Sequence, residues 1–234
     1  MREQTLQFWA HFTNLFFPKL CLACNYKAPP RNQDFCLKCL KELPKTTYHF
    51  EVENDFTKRF WGRVKLEAGA SMYLFAKKSR VKNLIHNLKY QGQKQIGETV
   101  GKYYGRQLKS SPLFQEIDLI VPVPLHWKKE RMRGYNQSFH FALGLSETMD
   151  LPILKDGLIR NVYGDSQTKK SKEERLQNAM NDFEVNRPNE LKGKHILLVD
   201  DVLTTGATIE GCSTKLLELE GTKVSAVTIA MAVN

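Results

Sequence analysis

The chain has 234 residues, of which 41% are hydrophobic, enough for one α/β domain and a small accessory module. A formal net charge of +10 and a pI near 9.3 favour anionic partners, whether nucleic acid, polyphosphate or an acidic protein face, without choosing among them. No run approaches the ~18 apolar residues of a membrane span, and residues 1–17 lack the continuous apolar core of a signal peptide, so the expectation is a cytoplasmic protein without membrane insertion.

Leu6, Phe8, Trp9, Phe12, Leu15, Phe16 and Phe17 recur at broadly helical spacing and predict a helix that packs on its neighbours. A membrane-surface or partner helix is the other reading, against which stands its sparse positive charge. Next come Cys21-x-x-Cys24 and Cys36-x-x-Cys39. Two such knuckles separated by eleven residues can supply a tetrahedral four-thiolate zinc site. A disulfide pair or a redox centre is the alternative, and a reducing compartment disfavours disulfides. A catalytic zinc needs an open position and usually a His, yet neither His11 nor His49 has knuckle spacing. The spacing therefore points to structural zinc. Cys212, alone in a helical pattern, reads as a core thiol. Residues 51–63 are polar and read as a linker, which divides the chain into a module at 1–60 and a main domain at 61–234.

Beyond the linker, strand and helix patterns alternate. Gly69–Phe75 reads as a strand. Val81, Leu84, Ile85 and Leu88 give an amphipathic helix over Arg80–Tyr90, stopped near Gly92. Ile96, Val100, Tyr103, Tyr104 and Leu108 mark a second helix. Residues 118–124 form a strand running into a Pro-punctuated loop. Tyr135, Phe139, Ala142, Leu143 and Met149 mark a third helix, and a capping box of Ser171 and Glu174 opens another. A strand at 196–199, a helix through Ile209, Cys212, Leu216 and Leu217 stopped by Gly221, and a strand at 224–233 complete the chain. The alternation predicts βαβ units and a mainly parallel sheet flanked by helices, with sites at the carboxyl ends of its strands.

One such end is conspicuous. The apolar run 196–199 leads into Asp200 and Asp201, then a Thr/Gly loop, then a helix. The N–H groups of residues 204–208 (Thr204, Thr205, Gly206, Ala207 and Thr208) can close around a phosphate, and Gly206 permits close approach. The two carboxylates suit hydroxyls or a metal nearby, so the pattern describes a sugar phosphate. Acids that merely cap the following helix, or a Walker-B-like strand end, are the alternatives, and no G-x-x-x-x-G-K-[ST] accompanies the latter. The run Val199, Asp200, Asp201, Thr204, Thr205, Gly206 and Thr208 resembles the 5-phosphoribosyl-1-pyrophosphate (PRPP) loop of type I phosphoribosyltransferases. That resemblance implies their fold, with the acids on the ribose hydroxyls, the loop on the 5-phosphate, and Mg²⁺ bound together with PRPP.

Pyrophosphate needs a second anion site. The loop at Pro122-Val123-Pro124-Leu125 can turn amides toward oxygens, although Pro124 itself cannot donate. The run 126–137 holds four cations in six residues and then enters a helix at Asn136 and Gln137. It reads as a basic loop able to pair with phosphate oxygens, or as a solvated loop. The string Arg131-x-Arg133-Gly-Tyr-Asn-Gln is similar to the signature of the competence protein F (ComF) family, an amidophosphoribosyltransferase-like branch. Lys89-Tyr90, the four-cysteine module and the element Gln167, Lys170, Arg175, Asn178 match it in order. The resemblance implies a phosphoribosyltransferase associated with DNA uptake in natural transformation, in which Arg131 and Arg133 neutralise the leaving group and Lys89, Tyr90, Gln167 and Arg175 serve the acceptor. Three readings stay open: a working enzyme, a non-catalytic PRPP- or nucleotide-binding module acting through DNA-uptake partners or single-stranded DNA, and a nucleic-acid binder with a vestigial loop.

Overall fold

The computed structural model describes residues 19–31, 33–76, 79–160 and 182–233. The expected helix over residues 6–17 and the capping box at Ser171 and Glu174 lie outside them, as do Gln167 and Arg175. Two short helices, α1 (Leu37–Glu42) and α2 (Asp55–Lys58), precede β1 (Gly69–Phe75). There follow α3 (Arg80–Tyr90), α4 (Gln95–Lys109), β2 (Leu119–Pro122), α5 (Trp127–Arg133), α6 (Gln137–Met149), β3 (Leu158–Arg160), β4 (Phe183–Val185), α7 (Pro188–Leu191), β5 (His195–Leu203), α8 (Ala207–Leu217) and β6 (Lys223–Ala232). No helix among the described residues is long and apolar enough to cross a membrane.

β1, β6, β5 and β2 lie in that order in one parallel sheet. Residues 196–199 are fully buried because helices cover both faces of the sheet. Side chains alternate along β5: Leu197 and Val199 pack into the core that holds Leu84, Leu88, Val100 and Phe141 of α3, α4 and α6, whereas Ile196 and Leu198 join Ile209, Cys212 and Leu216 of α8. Helices α4 and α6 touch through glycines. A Cβ at Gly101 would sit 2.4 Å from the Phe141 carbonyl, and one at Gly144 would sit 2.1 Å from that of Glu98.

The cysteine module is part of this core rather than an appendage. Leu22, Phe35 and Leu43 are buried in the same cluster as Tyr73 and Tyr104. Lys45 bridges Tyr73 in antiparallel fashion, Thr46 N–H donates to Met72 O at 3.0 Å, and Leu74 N–H donates to Pro44 O at 2.8 Å. This segment covers the outer edge of β1, leaving that edge less open to foreign strands.

Three expectations change. Residues 51–63 are not a linker. Asn54 caps α2, accepting from Phe56 and Thr57 N–H while its own N–H donates to Thr57 Oγ1. Phe56 and Phe60, four residues apart, are buried. The basic run is a helix, not a loop: His126 Nδ1 accepts from Lys128 N–H at 3.1 Å to cap α5, and Gly134 ends it at φ +79°. None of its residues is buried, so no apolar periodicity announces it. Finally, β3 and β4 pair antiparallel beside the main sheet, each too short to show a pattern.

Candidate functional site

At the carboxyl ends of β2 and β5 lies a cleft of about 430 Å³ lined by residues from several separate segments. A larger hollow of about 580 Å³ is lined by residues 52–67 alone and lies outside this constellation. The cleft walls carry Asp200 and Asp201, faced by Lys89, Lys129, Arg133 and Arg160.

β5 runs past the expected end at Val199, because β6 extends alongside it: Asp200 pairs with Thr228, Val202 with Ala230 and Leu203 with Met231. Successive strand residues point to opposite faces, so the two acids have different partners. Asp200 Oδ1 accepts from Ser138 Oγ at 2.9 Å and from Asp201 N–H at 2.8 Å. Asp201 Oδ1 lies 3.0 Å from Lys89 Nζ, at the last turn of α3. Burial, and then the Asp201 charge beside it, push the Asp200 carboxyl up to about 7; Lys89 and Ser138 act the other way.

The loop after β5 carries exposed Thr204 and Thr205, then Gly206 at φ +86°. Among the described residues, the N–H groups of Thr205 and Gly206 have no acceptor. Residues 203–209 with Asp200 and Val202 line a second, small cavity beside the cleft, and Thr204 and Thr208 border both. A helix N-terminus, here that of α8, with free N–H groups ahead of it suits an anion.

Across the cleft, three buried side-chain nitrogens lack an acceptor among the described residues: Arg133 Nε, Gln137 Nε2 and Arg160 Nε. Pro124 and Leu125 form the adjoining wall. Asn136 Nδ2 donates to Val123 O at 2.9 Å and its Oδ1 accepts from Ser138 N–H at 3.0 Å, which ties this wall to the start of α6.

Not every expected residue arrives here. Val199 is fully buried in the core beneath the site. Arg131 is exposed on α5 and does not line the cleft, because helical spacing turns it away from Lys129 and Arg133. Tyr90 is 59% exposed outside the lining, with the Arg133 guanidinium 5.3 Å above its ring. Thr205, Gly206 and Ala207 line only the smaller cavity. Sequence reasoning missed Ser138, Lys129 as a wall residue, and Arg160, which pairs with Asp182 at 3.1 Å at the end of β3. The cation-rich run was the available signal for Lys129; the three-residue strand carrying Arg160 offered none.

The four cysteines converge, their sulfurs all within 4.8 Å of one another. Cys24 and Cys36 Sγ are 4.0 Å apart, close to the roughly 3.8 Å that Zn–S bonds of about 2.3 Å impose in a tetrahedron. Arg80 Nη1 approaches Cys39 Sγ at 3.6 Å and Glu42 Oε2 at 2.7 Å, supplying the positive charge that a four-thiolate centre calls for. These thiols can hold a metal ion such as zinc.

Residues 136–233 match the family described as Phosphoribosyl transferase domain. Competence protein F of Haemophilus influenzae is 32% identical over 140 residues, 58% of this chain and 61% of that protein. DNA utilization protein YhgH of Escherichia coli K12 is 29% identical over 137 residues, 57% and 60% of the two chains. Competence protein ComFC of Bacillus subtilis is 34% identical over 100 residues, 43% of this chain and 38% of that one. The chain thus aligns with about three-fifths of the first two relatives' length. Among solved structures, glutamine PRPP amidotransferase from B. subtilis, complexed with ADP and GMP, covers 62% of this chain and 30% of its own at 22% identity and a TM-score of 0.43. The chain is thus similar in sequence to competence protein F and its relatives, and with its helix-flanked parallel sheet it has a phosphoribosyltransferase fold, residues 136–233 matching the phosphoribosyl transferase domain.

Proposed function

We propose that the cleft binds PRPP and transfers its ribose 5-phosphate to an acceptor, releasing pyrophosphate. The supporting observation is a convergence of opposites: two adjacent carboxylates lie between a loop with free N–H groups and a wall of three buried donors lacking acceptors. A sugar with hydroxyls between two phosphate groups complements all three. Asp200 and Asp201 accept from the ribose hydroxyls, residues 204–208 hold the 5-phosphate, and Arg133, Arg160 and Gln137 hold the pyrophosphate. The C1–O bond breaks through an oxocarbenium-like transition state, so this chain's contribution is positioning and charge stabilisation rather than proton transfer.

Mg²⁺ is part of this reading. Two carboxylates do not make a dedicated cage, which suits an ion held mainly by the ligand's own oxygens and neutralising their charge. A reducing, cytoplasmic setting fits five free cysteines and a structural zinc in the N-terminal module.

The names of the relatives link them to competence and DNA utilization, and we extend a role in DNA uptake to this chain. One observation favours a second reading, a non-catalytic module that holds nucleotides or single-stranded DNA. Trp127 is 55% exposed with Lys128 Nζ 5.5 Å from its ring centroid, and Tyr90 is similarly paired with Arg133 at the cleft rim. The deciding experiment is calorimetric titration of PRPP–Mg²⁺ and of single-stranded DNA, at one salt concentration, on wild type and on Asp200→Asn/Asp201→Asn, followed by a search for pyrophosphate release across a panel of bases. The enzyme reading expects PRPP binding that the double variant loses, with DNA binding unchanged. PRPP affinity that survives in the folded double variant removes this reading.

A further inference from the structure

The segment that reads as a linker builds the back of the anion loop. Arg59 Nη1 donates to Thr204 O and its Nη2 to Ala232 O at the end of β6. Arg63 Nη1 donates to Thr205 O at 3.1 Å and to Arg59 O at 3.0 Å, and its Nη2 pairs with Glu210 in the first turn of α8. Glu210 is buried, with a side chain 7% exposed. Phe60, between the two arginines, lies against Gly206, where a Cβ would meet its ring at 3.0 Å.

These contacts bear on which way the loop's peptides face. The Thr204 carbonyl and the Thr205 N–H belong to one peptide unit, as do the Thr205 carbonyl and the Gly206 N–H. A trans peptide holds its N–H opposite its C=O, and there is no cis bond here. Two guanidinium ions on the oxygens therefore fix both N–H groups on the far face and polarise them toward an anion. Both N–H groups lack an acceptor among the described residues, as do those of Thr204 and Thr208 on either side. We propose that Arg59 and Arg63 are positioning residues that set the direction and strength of the Thr205 and Gly206 donors, and so govern affinity for the 5-phosphate without touching it. The ligand part of this inference rests on the reading of the cleft as a ribose-phosphate site.

The test pairs two measurements on the full chain. Hydrogen–deuterium exchange reads the loop directly, and calorimetry with ribose 5-phosphate, PRPP and pyrophosphate reads the ligand. Arg59→Gln is expected to speed exchange across residues 203–209. It should weaken ribose 5-phosphate and PRPP by the same factor, about tenfold for one charge-assisted bond, and leave pyrophosphate unchanged. Arg59→Lys keeps one charged donor and should recover part of that loss, a rescue that general destabilisation would not produce. Should Arg59→Gln unfold, Arg63→Gln combined with Glu210→Gln, which leaves no buried unpaired charge, carries the same comparison. Unchanged loop exchange and affinity in a folded variant, or a loss confined to PRPP and pyrophosphate, overturns the proposal. If wild type binds none of the three ligands while the variants still loosen the loop, the positioning role stands and the ribose-phosphate reading fails.

Discussion

Lys89 Nζ lies 3.0 Å from Asp201 Oδ1, while the neighbouring Asp200 is held by the Ser138 hydroxyl and the Asp201 N–H. Two adjacent carboxylates are thereby made unequal. Asp201 has a cation to balance it; Asp200, desolvated and beside a second negative charge, is pushed up to about 7.

A pH dependence follows. Folding raises the Asp200 pKa above its unfolded value near 3.9, so between those two values the folded state binds the extra proton. Stability from this group is therefore greatest at low pH and falls as pH rises toward 7. Asp200→Asn should lose this slope, and its thermal midpoint relative to wild type should be higher at pH 8 than at pH 5. A ligand whose hydroxyl needs the ionised Asp200 gains affinity over the same range, up to about tenfold per pH unit below 7. Thermal unfolding at pH 5 and pH 8 checks the first and titration calorimetry between pH 6 and 8 the second, with the variant as the flat control.

The two arginines of α5 should separate. Arg133 lines the cleft with a buried, unpartnered Nε, and Arg131 is exposed outside it. Arg133→Ala is expected to weaken PRPP by about 1.5–3 kcal/mol, and Arg131→Ala by well under half of that. Equal losses would mean that α5 moves as a unit when ligand binds.

Gly206 combines φ +86° with a ring carbon of Phe60 3.0 Å from where a Cβ would stand. Gly206→Ala should cost about 1–3 kcal/mol of stability from backbone strain, and more than that in ribose 5-phosphate affinity. Urea denaturation gives the first value and calorimetry the second.

Cys36→Ser should abolish stoichiometric zinc and destabilise the whole chain rather than one module, since Cys21, Cys39, Leu22 and Phe35 share a core with Tyr73 and Tyr104. Elemental analysis reports the metal. A single unfolding transition shifted to lower denaturant is the expected result; loss of a separate early transition would show the module to be independent.

Much of this was legible before folding was considered. The apolar run, acid pair and Thr/Gly loop of residues 196–208 are contiguous, so their chemistry is written locally, as is the knuckle spacing of the cysteines. Helices α3 and α4 announce themselves because each buries an apolar stripe, whereas α6 is buried nearly all round and the Phe139 and Leu143 that marked it are only half-buried. Helix α5 does not, since none of its residues is buried as a whole. Residues 51–63 conceal Phe56 and Phe60 among charged neighbours, and composition outweighed a two-residue signal.

The sequence by itself determined the order of the four strands of the main sheet and of helices α3, α4, α6 and α8, the strand end that carries the acids, and the thiol set, because hydrophobic period and short-range spacing dictate these. Only the tertiary structure decided that Ser138 meets Asp200, that Lys89 meets Asp201, that Arg160 and not Arg131 joins the cleft, and that Arg59 reaches Thr204 across 145 residues of chain. Periodicity says which face of an element is buried. Which polar group meets which depends on how distant elements stack, and that is settled by packing of the whole core.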